Sequence, residues 1–162
     1  MKKLFIVLAL IFCTGCSLWD IPDISIINEL SPLTQEEFMD INILESEDIS
    51  ISDLRYYNLV VKGTNIVNTE LREVAVPSMM YITKAIKDYN KDAWALGSSI
   101  NQDNKQEDFF LYEYKILLNM KNMTQEELRN ILDNFAVIVY IKQKSGIEFS
   151  NKISLGTDLE IK

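Results

Sequence analysis

Three groups of residues have types and spacing that could support chemistry: the acidic clusters Glu45, Glu47, Asp48 and Asp103, Glu107, Asp108, and the pair Cys13 and Cys16. Clustered carboxylates hydrolyse glycosides when one of them is held protonated in an apolar pocket, and their oxygens also bind calcium. Neither cluster has the glycine and the one-three-five spacing of a calcium-binding hand loop, and no neighbouring pattern isolates one carboxylate. Both read as solvated loop charge. The chain has no histidine, which removes the usual general base at neutral pH, the usual zinc ligand and any Ser-His-Asp or Cys-His triad. No catalytic, metal or cofactor site is expected. The aromatic set Phe109, Phe110, Tyr112 and Tyr114 offers a different function, a platform for glycan or peptide, although alternation assigns half of it to a core. Phe109, Tyr112 and Tyr114 are the expected binding surface.

The cysteines close a segment with its own logic. Lys2 and Lys3 precede an unbroken apolar run over residues 4–12, and small residues Thr14 and Gly15 lead into Cys16. This is the layout of a secretory signal, and the run is too short to cross a bilayer, which takes about 20 apolar residues. A redox pair would open a helix after a buried strand, whereas this Cys-x-x-Cys ends a targeting segment. Residues 13–16, Cys-Thr-Gly-Cys, resemble the lipobox of bacterial lipoproteins, with Cys13 standing where that family usually has Leu. The resemblance implies a mature chain that starts at Cys16 and carries acyl lipid, such as palmitate, on its sulfur. It also implies residence in the cell envelope, facing away from the cytoplasm and held to the membrane through Cys16. Both cysteines lie in this segment, so the remaining domain has no disulfide and depends on its core. Residues 1–15 are therefore expected to be signal, 16–30 a short tether and 31–162 one domain.

Apolar residues make up 48% and charged residues 25% of the chain, which suits a globular core. The net charge of −8 becomes −10 once Lys2 and Lys3 are removed, 14 basic against 24 acidic residues. Nucleic-acid affinity comes largely from Lys and Arg displacing counterions, so nucleic acid is not expected as a partner. Anionic head groups would be repelled as well, which leaves the lipid as the means of membrane contact.

The elements that position these residues follow from periodicity. Thr34-Gln35-Glu36-Glu37 and Thr124-Gln125-Glu126-Glu127 repeat the same four letters, and each forms a capping box flanked by apolar residues, Leu33 with Phe38 and Met123 with Leu128. Two short helices are expected to start there, the second continuing through Ile131, Leu132 and Phe135. Residues 110–119 alternate as a long central strand, and residues 135–141 and 147–155 form a hairpin through Lys144-Ser145-Gly146. Another strand is expected at 57–62, near Gly63. Residues 76–92 fit both periods: Met79, Ile82, Ile86 and Tyr89 have helical spacing, while the β-branched residues favour a strand, a turn at 88–92 and a returning strand over 94–100. The strand is favoured.

Strands separated by polar turns, with no alternation of strand and helix, point to a mainly β fold, an antiparallel sandwich with two short helices. The run over residues 58–76, with Gly63, Asn68 and Thr69, followed by the late aromatic strand, resembles the immunoglobulin-like accessory domains of bacterial envelope lipoproteins. That resemblance covers about 60 residues and implies a fold without catalytic residues. The expected function is a lipid-anchored envelope protein that binds an envelope protein or glycan without catalysis. The alternative is a carboxylate enzyme acting on cell-wall glycan, which needs two carboxylates about 5 to 9 Å apart in one concave pocket.

Overall fold

Side chains that alternate along the chain build two sheets. The computed structural model describes residues 21–41, 49–93 and 95–162. In chain order it contains strands β1 (Asp23–Pro32), β2 (Leu54–Thr64), β3 (Thr69–Ala75), β4 (Ala95–Gln102), β5 (Phe110–Asn119), β6 (Ala136–Gln143), β7 (Glu148–Ser154) and β8 (Glu160–Ile161). Its helices are α1 (Gln35–Asp40), α2 (Met79–Tyr89) and α3 (Gln125–Leu132), with a single 3-10 turn at Ile51–Asp53. One sheet has the order β4-β5-β2-β1-β8, the other β3-β6-β7. All pairings are antiparallel except β1 with β8, which meet in parallel at Glu29 and Leu30. The fold is mainly β, as the alternation predicts.

The core lies between the sheets. Tyr57, Leu59 and Val61 of β2 and Phe110, Tyr114, Ile116 and Leu118 of β5 point inward, opposite Val137, Val139 and Ile141 of β6. A Cβ on Gly63 would lie 2.4 Å from the Phe110 ring, so the ring fills the space a side chain would take. Two polar residues join this core. The Tyr57 hydroxyl donates to Asn28 Oδ1 at 3.0 Å, and Asn28 Nδ2 donates to the Leu155 carbonyl at 3.0 Å, which ties β1 and β2 to the chain just beyond β7. Burial pushes the Tyr57 phenol well above its ordinary range. A smaller cluster on the outer face of the larger sheet holds Leu33, Leu54 and Leu117, with Phe38 of α1 packed on it.

Both expected helix starts are present with complete capping boxes. Glu37 and Glu127 donate their amides to Thr34 and Thr124 Oγ1 at 3.2 Å, while each Glu carboxylate accepts from the Thr amide, at 3.0 and 2.8 Å. A third box, Ser50 with Asp53, starts the 3-10 turn. The hairpin also forms where expected, with Gly146 at φ +87°.

Three expectations are corrected. Residues 79–89 are helical, not a strand, and the described part of the returning strand, β4, begins at Ala95. A strand at 80–86 would turn Lys84 to the same side as Ile82 and Ile86. The helix buries Ile82 and Ile86, half-buries Met79, and leaves Met80 and Lys84 outside. It packs against α3 and β4, beside a second sheet two strands narrower than the first. The described residues thus contain three short α-helices where two were expected. Residues 23–30, expected to be tether, form most of β1, a strand paired with β2 along its whole length. The alternation of Ile24, Ile26 and Asn28 with Ser25, Ile27 and Glu29 carried that signal.

The caps make stability depend on acid. Hydrogen bonds from Thr34 and Thr124 hold the Glu37 and Glu127 carboxyls below the usual range, and bonds from Ser154 and Thr157 do the same for Asp133. A carboxyl lowered on folding stabilises the native state fully above its unfolded pKa, about 4, and ceases to do so as pH falls through the folded value. The thermal midpoint is therefore expected to fall below about pH 4. A Glu37→Gln, Glu127→Gln variant should show a shallower fall in the same calorimetric series.

Candidate binding surface

The expected surface residues do not form one surface. Tyr114 is 4% exposed and belongs to the core. Phe109 precedes β5 and is half-buried, while Tyr112 lies one residue out of phase with it, on the inner side of the sheet. The expected surface joined residues of different faces: Tyr112 and Tyr114 share the inner face of β5 with Phe110, as the alternation has it, and α2 and the second sheet cover that face, which buries Tyr114. Cys16, with Cys13, and the cluster Glu45, Glu47, Asp48 lie outside the described residues.

Tyr112 belongs to a polar brace between the sheets. Arg72, the one fully buried residue of β3, pairs through Nη2 with Asp103 Oδ1 at 2.6 Å and donates from Nη1 to the carbonyls of Glu107 and Phe109 at 3.0 and 3.4 Å. The guanidinium carbon sits 6.0 Å from the Phe110 ring centre. The Tyr112 hydroxyl donates to Asp103 Oδ2 at 3.0 Å. Burial first, then this bond to a carboxylate, pushes Tyr112 up to about 12. Asp103, expected to be solvated loop charge, is instead the shared acceptor of a partly buried network. The sequence signal was a lone Arg in a strand followed by a carboxylate in a polar loop, which composition does not distinguish from surface charge. Among the described residues no group of carboxylates or cysteines is placed to hold a metal ion.

Beside the brace runs an open groove of about 410 Å³ between the start of α2 and β4, lined by Met79, Met80, Ser99, Asn101, Tyr112 and Tyr114. Ala95, Gly97, Ser99 and Asn101 form the inner face of β4 and are small enough to leave the tyrosines at its floor. Met80, at its rim, and Tyr81, next in α2, are more than half exposed; so are Leu96 and Ile100, which pair with Leu117 and Glu113 and therefore stand on the outer face of β4, away from the groove. A second groove, about 480 Å³, lies between β1 and β7 and carries Glu29, Asp158, Glu160 and Lys162. Two of its carboxylates have partners, Glu29 the Lys162 ammonium and Asp158 the Ser154 amide at 2.8 Å.

The fold and its surfaces define a two-sheet β protein with an open groove between α2 and β4. No family model matches the chain, and neither curated proteins nor solved structures show a similarity to it. No helix among the described residues is long and apolar enough to cross a membrane.

Proposed function

We propose that this chain is a lipid-anchored protein of the cell envelope, attached through acyl chains on Cys16, and that it binds another envelope component without catalysis. The observation that carries the anchoring is the layout of residues 2–16, a basic start, an apolar run and small residues ahead of Cys16. The groove between α2 and β4, with the exposed Met80 at its rim, supports binding, because exposed apolar surface beside a concavity is the usual mark of a docking site. The strand order supports an immunoglobulin-like reading of the fold. Lettered A to G in chain order, the first seven strands lie as A-B-E-D and C-F-G, the arrangement of a constant-type immunoglobulin sandwich, with β8 added beside A.

Labelling growing cells with a radioactive fatty acid tests the anchor. The parent is expected to take up label and to sediment with membranes, and Cys16→Ser is expected to do neither. Processing and membrane partition of Cys16→Ser identical to the parent would overturn the reading.

A further inference from the structure

We infer that two copies of this chain associate through the edge of β4 that pairs with no strand among the described residues, the two strands running antiparallel about a two-fold axis at Ser98. An edge strand presents unpaired amides and carbonyls, and proteins guard such edges with charge, proline, bulges or shortness. The other sheet ends are guarded. β3 carries Glu70, Arg72 and Glu73 and an irregular register between Thr69 and Leu71, β7 carries Glu148 and Lys152, and β8 has two residues followed by Lys162. β4 has none of these devices. Its eight residues, Ala-Leu-Gly-Ser-Ser-Ile-Asn-Gln, include no charge and no proline, and its register against β5 runs unbroken from Ala95 to Gln102.

A second copy fits this edge because the strand is complementary to itself. With Ser98 opposite its own symmetry mate, Leu96 faces Ile100 of the other copy on the outer side, and Ile100 faces Leu96. On the inner side Gly97 faces Ser99, and Ala95 faces Asn101. Large residues thus meet large and small meet small, as a two-fold contact requires. Leu96 is 61% and Ile100 52% exposed in the single chain, so both lose water contact in the pair. Charge does not oppose the approach along the sheet. On the next strand in, β5, the charges Glu113 and Lys115 would lie three strand spacings, about 14 Å, from their mates, beyond a Debye length of about 8 Å; Asp92 and Asp103 flank the strip at its two ends, and Asp103 is paired with Arg72. A chain of net charge −8 therefore meets its copy along an uncharged strip. The inference stands on β4 alone and holds whether or not Cys16 carries lipid.

The test uses the full-length chain in detergent. Residues opposite one another in antiparallel strands have Cα atoms about 4.5 to 5.5 Å apart, within disulfide reach. Ser98→Cys is expected to form a 98–98 link between copies under mild oxidation, identified by peptide mass mapping. Ile100→Cys alone is expected to give no link at that position, whereas Leu96→Cys with Ile100→Cys is expected to give a 96–100 link. In sedimentation equilibrium the parent is expected to be a dimer, and Ile100→Lys to weaken the dimer about tenfold or more, because the contact would then desolvate an ammonium. A parent that remains monomeric throughout the concentration range overturns the inference, as does a dimer that Ile100→Lys leaves intact or one whose links define another register.

Discussion

Gly156→Ala is expected to lose about 3 kcal/mol of stability and to melt roughly 10 °C lower. Gly156 lies where the chain turns from β7 toward β8 and passes directly against the end of α3. A Cβ there would lie 2.1 Å from the Arg129 carbonyl oxygen and 2.5 Å from Asp133 Oδ1. The first of these is helix backbone and cannot rotate aside. The surrounding bonds leave little slack. Arg129 Nη1 donates to the Gly156 carbonyl at 3.0 Å, and Asp133 Oδ1 accepts from the Ser154 hydroxyl, the Thr157 amide and the Thr157 hydroxyl at 2.6, 2.6 and 2.9 Å. Backing the turn away from α3 breaks this set and loosens Leu155 and Leu159, both fully buried on either side. Gly146 provides the comparison, since a Cβ there meets nothing and only its φ of +87° opposes substitution. Gly146→Ala should lose about 1 kcal/mol. Urea unfolding followed by circular dichroism separates the two, and a Gly156→Ala chain as stable as the parent would refute the close packing of this turn on α3.

The second large effect is expected at the brace. Arg72→Ala should lose about 2 to 3 kcal/mol, because it leaves Asp103 partly buried with Tyr112 as its remaining partner and deprives the carbonyls of Glu107 and Phe109 of a donor. The side chains of Arg72 and Asp103 are 4% and 15% exposed, so water replaces little of what is lost. Arg72→Lys should recover only part of it, since an ammonium cannot reach a carboxylate and two carbonyls with the geometry of a guanidinium. Removing the charge at both positions, Arg72→Met with Asp103→Asn, should be less harmful than the sum of the single changes. A double-mutant cycle measures that difference, and strictly additive losses would mean that the pair does not act as a unit. Arg72 Nε and Glu107 Oε2 are the buried side-chain atoms without a hydrogen-bond partner among the described residues. The brace is therefore polar at its centre without being fully saturated, which makes its geometry dependent on the loop between β4 and β5.

Local signals were legible where a short stretch decides its own structure. The two Thr-Gln-Glu-Glu boxes set helix starts because cap and carboxylate are three residues apart, and each is complete within one turn. The 110–119 strand and the hairpin through Gly146 were legible for the same reason, since a period of two and one positive φ are properties of the chain itself. Residues 79–89 were not. Both periods fit them, and the choice fell to the helix because the neighbouring elements receive Ile82 and Ile86 on a single stripe. The aromatic platform failed in the opposite way: alternation put Tyr112 and Tyr114 on one face without revealing that α2 covers it.

The amino-acid order alone determined a mainly β chain with capped helices, a net negative charge and no imidazole chemistry, because composition and short-range spacing need no partner. Tertiary structure decided that β1 belongs to the sheet, that Asp103 is a partly buried acceptor rather than loop charge, and that β4 ends its sheet unguarded. Burial and edge position arise only when residues far apart in sequence meet, so neither can be read from a stretch of chain by itself.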